Sequence, residues 1–258
     1  MSTLTQIFGT VNQRPEVPNQ FSELIELWHV LSPQFKDDNC LPDGITEPNN
    51  AMTQMKPEIV QLWALYQALQ PKVVMEIGCS QGGTLASWCR LGRDDATIIA
   101  LDLSPDDCWP YPGFPVHPSI WDGPLARTSG GGGMHCLKKP GSQQQIYPTH
   151  GMSYDPDTIR RVKEALAGRQ IDFCFHDASH LRDMTIQDFD IYWPMIAPGG
   201  MMAFHDIAYW DEGPERVMKW AWWDEVRANL PHDMSFEWKS DGKKGASMGI
   251  GVIVKRMD

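Results

Sequence analysis

The stretch KVVMEIGCSQGGT, Lys72 to Thr84, constrains this 258-residue chain more than any other, because its residue types dictate both a shape and a class of ligand. Val73, Val74, Met75 and Ile77 form a short, nearly continuous apolar run, the pattern of a strand buried on both faces. A glycine-rich turn follows at once, and a helix is expected to begin near Thr84. Gly78, Gly82 and Gly83 let the backbone approach a ligand closely, and the unpaired N–H groups of the new helix are offered to it. That is the architecture of a nucleotide-type site. Glu76 stands inside the apolar run, where an ionised carboxylate is costly unless paired, so a polar partner is expected for it.

Regular elements surround this strand in alternating order. Phe21 to Leu31 carries a helical stripe (Leu24, Leu27, Trp28, Leu31), and a second helix runs from Pro57 until Pro71 stops it. After the glycine turn, a helix closed by Gly92 leads to the apolar strand Thr97 to Leu101, ending at Asp102. This is a βαβ unit, and its spacing from Gly78 suits an acid that contacts ribose hydroxyls, the alternative being a carboxylate that caps the next turn. Residues 103–143 hold seven prolines, a Gly130 to Gly133 run and several aromatics, without helical or strand periodicity, and read as a lid or insertion.

Beyond it come a short strand at Gln145 to Tyr147, a helix capped by Asp155-Pro156, and the strand Ile171 to Phe175 ending in HDASH. A helix from Leu181 to Ile196, the turn Pro198-Gly199-Gly200 and the strand Met201 to Phe204 follow, ending in His205-Asp206. Pro214 to Leu230 reads as an aromatic-rich helix, and Met234 to Lys239 with Gly249 to Lys255 as a closing hairpin. The organisation is thus an N-terminal arm with a helical extension, residues 1–50, and an α/β domain over 51–258.

Composition narrows the partners. A net charge of -11 disfavours nucleic acid and anionic membranes, which select basic faces. Six scattered cysteines without CxxC spacing fit reduced thiols. No basic, apolar leader and no apolar run long enough to span a bilayer is present, so a cytoplasmic protein is expected.

In an open parallel sheet the ligand crevice lies beyond the carboxyl ends of the strands, so the glycine turn, Asp102, His176 to His180 and His205-Asp206 should converge. Asp177, His205 and Asp206 offer two carboxylates and an imidazole, a donor set for a divalent ion such as Mg2+; the alternative is that the acids cap helices and His205 packs. His180, three residues after Asp177, is a candidate base, or else a cap of its own helix. The three histidines 176, 180 and 205 at two strand ends favour function over coincidence.

The glycine pattern is E-x-G-x-x-x-G, lacking the second glycine that lets a dinucleotide pyrophosphate approach. It resembles motif I of class I S-adenosylmethionine-dependent methyltransferases. The likeness extends through most of residues 50 to 210: VMEIGCSQGGT, ALDLSP, GMSYDP, IDFCFHDASH and APGGMMAFHDI are similar to small-molecule O-methyltransferases of the macrocin, cephalosporin hydroxylase-like and methyltransferase 24 group. The resemblance implies a Rossmann-like sheet of seven mostly parallel strands with a C-terminal antiparallel hairpin. It implies that Glu76, Gly78, Ser80 and Gly82 surround the methionine part of S-adenosylmethionine, that Asp102 binds ribose and that Met152-Ser153 lie near adenine. It further implies Asp177, His205 and Asp206 as metal donors, Asp177 and His180 as catalytic residues, and a small hydroxylated acceptor such as a sugar or polyol. DASH in place of the commoner DGxH, and His205 in place of an acid, are departures from that pattern. N-methyl transfer or a silent cofactor-binding role is the alternative use of the same crevice, and self-association stays open.

Overall fold

A computed structural model of the chain describes residues 22–31, 54–79, 82–103, 141–179, 181–208, 221–228, 235–239 and 248–256. The lid reading over 103–143, and the bases of two site expectations, Ser80 and His180, fall largely or wholly outside these residues.

Helix α1, Ser22–Leu31, precedes α2, Lys56–Leu69, in which Pro57 occupies the first turn and Gln70 ends the helix at φ 49°, its N–H returning to the Tyr66 carbonyl. Strand β1, Val73–Ile77, is followed by α3, Gly83–Leu91, and β2, Thr97–Asp102. Strand β3, Gln145–His150, runs further than the residues 145 to 147 expected for it. Helix α4, Pro156–Leu166, opens where expected, since Asp155 accepts the Asp157 N–H at 3.0 Å.

Strand β4, Ile171–His176, leads to α5, Arg182–Tyr192, which is shorter than expected because Pro194 converts its end to a 3-10 turn, Trp193–Met195. Strand β5 then covers Ile196–His205 and absorbs the Pro-Gly-Gly segment read as a turn. Its early half is tied to the last strand, with the Gly199 N–H on the Lys255 carbonyl and the Lys255 N–H on the Gly200 carbonyl. The expected aromatic helix is described only as a π-helical turn, Ala221–Val226, in which Trp222 is buried against Phe204 and donates to Glu237 at 2.8 Å. Strands β6, Ser235–Trp238, and β7, Ile250–Val254, form the closing hairpin.

One sheet of seven strands results, in the order β3-β2-β1-β4-β5-β7-β6. The pairs among β1 to β5 are parallel, and those of β7 with β5 and β6 are antiparallel. Because side chains alternate along a strand, each buried strand feeds two cores. Val74, Ile98, Ala100, Phe173, Phe175 and Ala203 face α1 to α3, where Trp63, Tyr66 and Trp88 fill the layer. Met75, Ile99, Cys174, Met202 and Phe204 face the opposite layer with Val162 of α4 and Tyr192 of α5. Strand order reverses between β1 and β4, and a crevice opens at such a reversal beyond the carboxyl ends. Among the described residues no helix is long and apolar enough to cross a membrane.

Candidate active site

The two-residue period of the strands settles which polar residues share the crevice. Glu76 has the parity of Val74, Asp102 that of Ile98 and Ala100, Asp177 that of Phe173 and Phe175, and His205 that of Met201 and Ala203. All four therefore lie on the α1 to α3 side. His176 has the opposite parity. It is fully buried in the other layer with its Nε2 2.9 Å from Asp188 of α5, so the expectation that all three clustered histidines serve the crevice is wrong for His176.

The turn after β1 is held against the turn after β4. The Gly78 N–H donates to the Leu101 carbonyl at 2.9 Å, and the Asp177 N–H donates to the Ile77 carbonyl at 2.8 Å, so sheet pairing continues past both strand ends. Gly78 has φ +85°, and a Cβ on it would lie 2.1 Å from the Asp177 carbonyl oxygen. Only glycine fits there. Gly82, at φ 81°, is the left-handed residue from which α3 starts, leaving the first N–H groups of α3 at the crevice.

Asp102 is bound to this turn by its side chain. One carboxylate oxygen accepts the Cys79 N–H at 3.1 Å and the other accepts the Leu103 N–H at 2.7 Å. Its backbone carbonyl accepts the Gly151 N–H at 3.0 Å, which brings the half-buried Met152 and Ser153 beside the end of β2. The Tyr192 hydroxyl fixes that segment from beneath by donating to the Ser153 carbonyl at 2.6 Å.

Glu76 departs from its expectation. It is 1% exposed, and neither carboxylate oxygen has a hydrogen-bond partner among the described residues. Burial first, then the charges of Asp177 and Asp102, push its carboxyl well above the usual range; the Trp88 indole acts the opposite way without reaching hydrogen-bond geometry. Burying an unpaired carboxyl costs several kcal/mol or forces it to hold a proton, a cost that a cation or a strong donor placed beside it would relieve.

Beyond β4 and β5 the polar groups are joined to one another. His205 Nδ1 lies 3.0 Å from Asp177 Oδ1 and 3.4 Å from Asp206 Oδ2. Asp206 follows His205 directly and should project to the other face, but its φ of 61° re-aims the chain and returns the carboxylate to the imidazole. The second Asp177 oxygen accepts from Gln54 Nε2 at 2.7 Å. Asp177 thus caps no helix; α5 begins after Leu181 without a side-chain cap. Burial pulls the His205 pKa down, but the flanking Asp177 and Asp206 carboxylates and their hydrogen bonds more than offset this and hold it well above its ordinary value.

Donor atoms of Asp177, His205 and Asp206 all lie within 4.8 Å of one another. Two donors on opposite sides of a divalent ion, at bonds of ~2.0–2.4 Å, are ~4–4.8 Å apart, so the triad fits such an ion once His205 Nδ1 gives up its proton. With the proton in place the same geometry is an imidazolium between two carboxylates.

A family model for the methyltransferase domain matches residues 75–207, just over half of the chain. The chain belongs to this methyltransferase family. No curated protein matches the methyltransferase by sequence. Among solved structures it is similar to an O-methyltransferase from Bacillus cereus in complex with SAH, with a TM-score of 0.54 at 14% identity, over 99% of this chain and 98% of that one. It is also similar to TomG, an O-methyltransferase of tomaymycin synthesis from Streptomyces achromogenes in complex with SAM, with a TM-score of 0.50 at 13% identity, over 98% and 95% of the two chains. A candidate rRNA methylase from Clostridium thermocellum shares the fold, with a TM-score of 0.52 at 10% identity, over 80% of this chain and all of that one. At such identities the likeness establishes the fold, a seven-stranded Rossmann-like sheet, and leaves the acceptor to be argued from this methyltransferase's own residues.

Of the residues singled out in the sequence, Glu76, Gly78, Gly82, Asp102, Met152, Ser153, Asp177, His205 and Asp206 all stand at the carboxyl ends of β1 to β5. Gln54 was not among them. It precedes α2 in a polar stretch, and nothing local marks a residue whose partner lies 123 positions away.

Proposed function

We propose that this methyltransferase moves the methyl group of S-adenosylmethionine to a hydroxyl of a small molecule such as a sugar, polyol or secondary metabolite. The observation that carries the reading is the Glu76 carboxyl, without a partner among the described residues, beside Asp102 and Asp177 just ahead of a glycine turn. S-adenosylmethionine is a cationic amino acid joined to a nucleoside, and it brings both the positive charge and the ammonium donors that such a crevice lacks. Glu76, Gly78, Ser80 and Gly82 would then hold the methionine part, Asp102 the ribose, and Met152 and Ser153 the adenine. The two neighbouring structures that hold SAH and SAM support this choice.

Methyl transfer needs the acceptor oxygen, methyl carbon and sulfur in line. A C–O bond forms as the C–S bond breaks, the sulfonium becomes a neutral thioether, and the hydroxyl proton leaves. Alignment by two facing strand ends supplies much of the acceleration, and the base takes the proton. His180 is assigned as that base on its sequence position, three residues beyond Asp177. Asp177, His205 and Asp206 would hold a divalent cation such as Mg2+, which when bound supplies Lewis-acid activation of a hydroxyl. The acid-rich crevice and a net charge of -11 weigh against an RNA acceptor.

Calorimetry with S-adenosylhomocysteine tests the reading. Binding that weakens at least tenfold in Glu76→Gln is expected; absence of binding to the wild-type protein rejects it. A His180→Ala variant with full turnover on an identified acceptor rejects the base.

A further inference from the structure

Helix α1 lies ahead of the residues matched by the methyltransferase family model, yet it is wired to the donor triad through two hydrogen bonds. Trp28 of α1 is 1% exposed and its indole N–H donates to the Gln54 backbone carbonyl at 2.9 Å. Gln54 is itself 1% exposed, and its side-chain amide donates to Asp177 Oδ2 at 2.7 Å. The amide cannot be turned over, since that would set its carbonyl oxygen against a carboxylate oxygen, acceptor against acceptor. With Oδ2 held, Asp177 Oδ1 faces His205 Nδ1 at 3.0 Å. The other end of the amide, Gln54 Oε1, is buried with no donor among the described residues. A buried polar atom left unsatisfied in this way is tolerated where it serves a site.

We propose that Gln54 is a positioning residue for Asp177, and that Trp28, by anchoring its backbone, makes α1 part of the machinery that aims the donor triad. Gln54 is given no contact with methyl donor or acceptor in this proposal, since its side-chain amide donates to Asp177. It acts by denying Asp177 the rotations that a partly exposed carboxylate otherwise has: the Asp177 side chain is 20% exposed, against 4% for His205. The inference rests on the reading of Asp177 as a donor in methyl transfer, and its test separates the two.

Gln54→Met keeps the length and apolar stem and removes the donor. With S-adenosylhomocysteine bound, Mn2+ affinity measured by electron paramagnetic resonance is expected to fall about 10–100-fold in this variant, the range for loss of a group that orients a ligand. S-adenosylhomocysteine affinity is expected to stay within about twofold, because the Gln54 side chain donates to Asp177 and to no described residue of the glycine turn. Trp28→Phe, which retains the ring but not the N–H, is expected to shift Mn2+ affinity in the same direction by a smaller factor, and it serves as the test if Gln54→Met does not fold. Crystal structures of the variants give a readout free of metal: the Asp177 carboxylate should leave His205. Unchanged Mn2+ affinity, or an Asp177 carboxylate that keeps its 3.0 Å contact in the variant crystals, overturns the proposal. A wild-type protein that binds no Mn2+ rejects the metal reading of the triad, and the Asp177 position in the variant then decides for or against Gln54 by itself.

Discussion

The two halves of the crevice solve the problem of buried charge in opposite ways. On the β1 and β2 side, Asp102 is satisfied by backbone N–H groups of its own neighbourhood, and Glu76 is left with no partner. On the β4 and β5 side, the Asp177 and Asp206 carboxylates flank His205, whose protonated ring offsets one of their two charges, and Gln54 donates to the second Asp177 oxygen. The first half leaves its buried carboxyl without a counter-charge, and the second supplies one while His205 keeps its proton, although His205 Nε2 and Gln54 Oε1 stay without partners among the described residues. A ligand on the first side therefore relieves a cost already present, whereas a cation on the second must displace a proton from the imidazole. The comparison predicts separable losses: affinity for the methyl donor from one half, turnover from the other.

The largest expected effect joins both halves. Gly78→Ala puts a Cβ 2.1 Å from the Asp177 carbonyl oxygen at a φ of +85°. Neither the backbone of the second turn nor that of the first can yield cheaply, so a loss of roughly 3 kcal/mol or more is expected, about 6–12 °C in Tm for a chain of this size. Cofactor binding should fail together with stability. Thermal unfolding of Gly78→Ala beside Gly83→Ala checks this, and a soluble, fully binding Gly78→Ala protein breaks the claim that the halves are locked at this point.

Asp177→Asn and Glu76→Gln should then dissociate the two roles. Asp177→Asn removes a charge that His205 and the triad rely on, and turnover is expected to fall about 100-fold or more, with S-adenosylhomocysteine affinity within about threefold. Glu76→Gln should weaken S-adenosylhomocysteine about 10–100-fold, the equivalent of one charge-assisted hydrogen bond. Equal losses of affinity in both variants would erase the distinction. Chelation sharpens it further. Dialysis against EDTA is expected to lower turnover, restored by Mg2+ or Mn2+, without altering cofactor affinity. Undiminished turnover after chelation would assign the triad to its imidazolium form.

The same contrast explains what the sequence shows. Glu76, Gly78, Gly82 and Asp102 sit within 27 consecutive residues, where one βαβ unit dictates their geometry, so strand, turn and helix were legible from the apolar run and the glycines. Asp177 and His205-Asp206 were legible as strand-end clusters, because parallel sheets place such ends together. Their partners were not. That His176 turns away follows from a parity that can be assigned only when the register of β4 is known, and its buried partner Asp188 stands among ordinary polar helix residues. Gln54 belongs to a contact closed over 123 residues. The Pro198-Gly199-Gly200 segment reads as a turn until Lys255, just past β7, bonds to its glycines and carries the strand through it.

The smallest effect is a pH dependence that tests whether Glu76 is the unsatisfied member. Its folded pKa is raised by burial and by Asp177 and Asp102, so the folded protein holds a proton that the unfolded chain releases. The sign is set by that difference. Stability from this group is present below the unfolded carboxylate value, near 4.3, and is lost as pH rises toward the raised folded value. Glu76→Gln has no proton to lose, so in the absence of ligand it should be more stable than the wild type at pH 8, by about 2–4 °C in Tm for each kcal/mol relieved. The advantage should vanish as pH approaches 4. Saturating S-adenosylmethionine should reverse the order at pH 8, because the cation favours the ionised carboxylate that the variant lacks. Matching Tm profiles for the two proteins from pH 4 to pH 8, free and bound, would mean that Glu76 already has a partner in the free protein, and the two halves of the crevice would then be built alike.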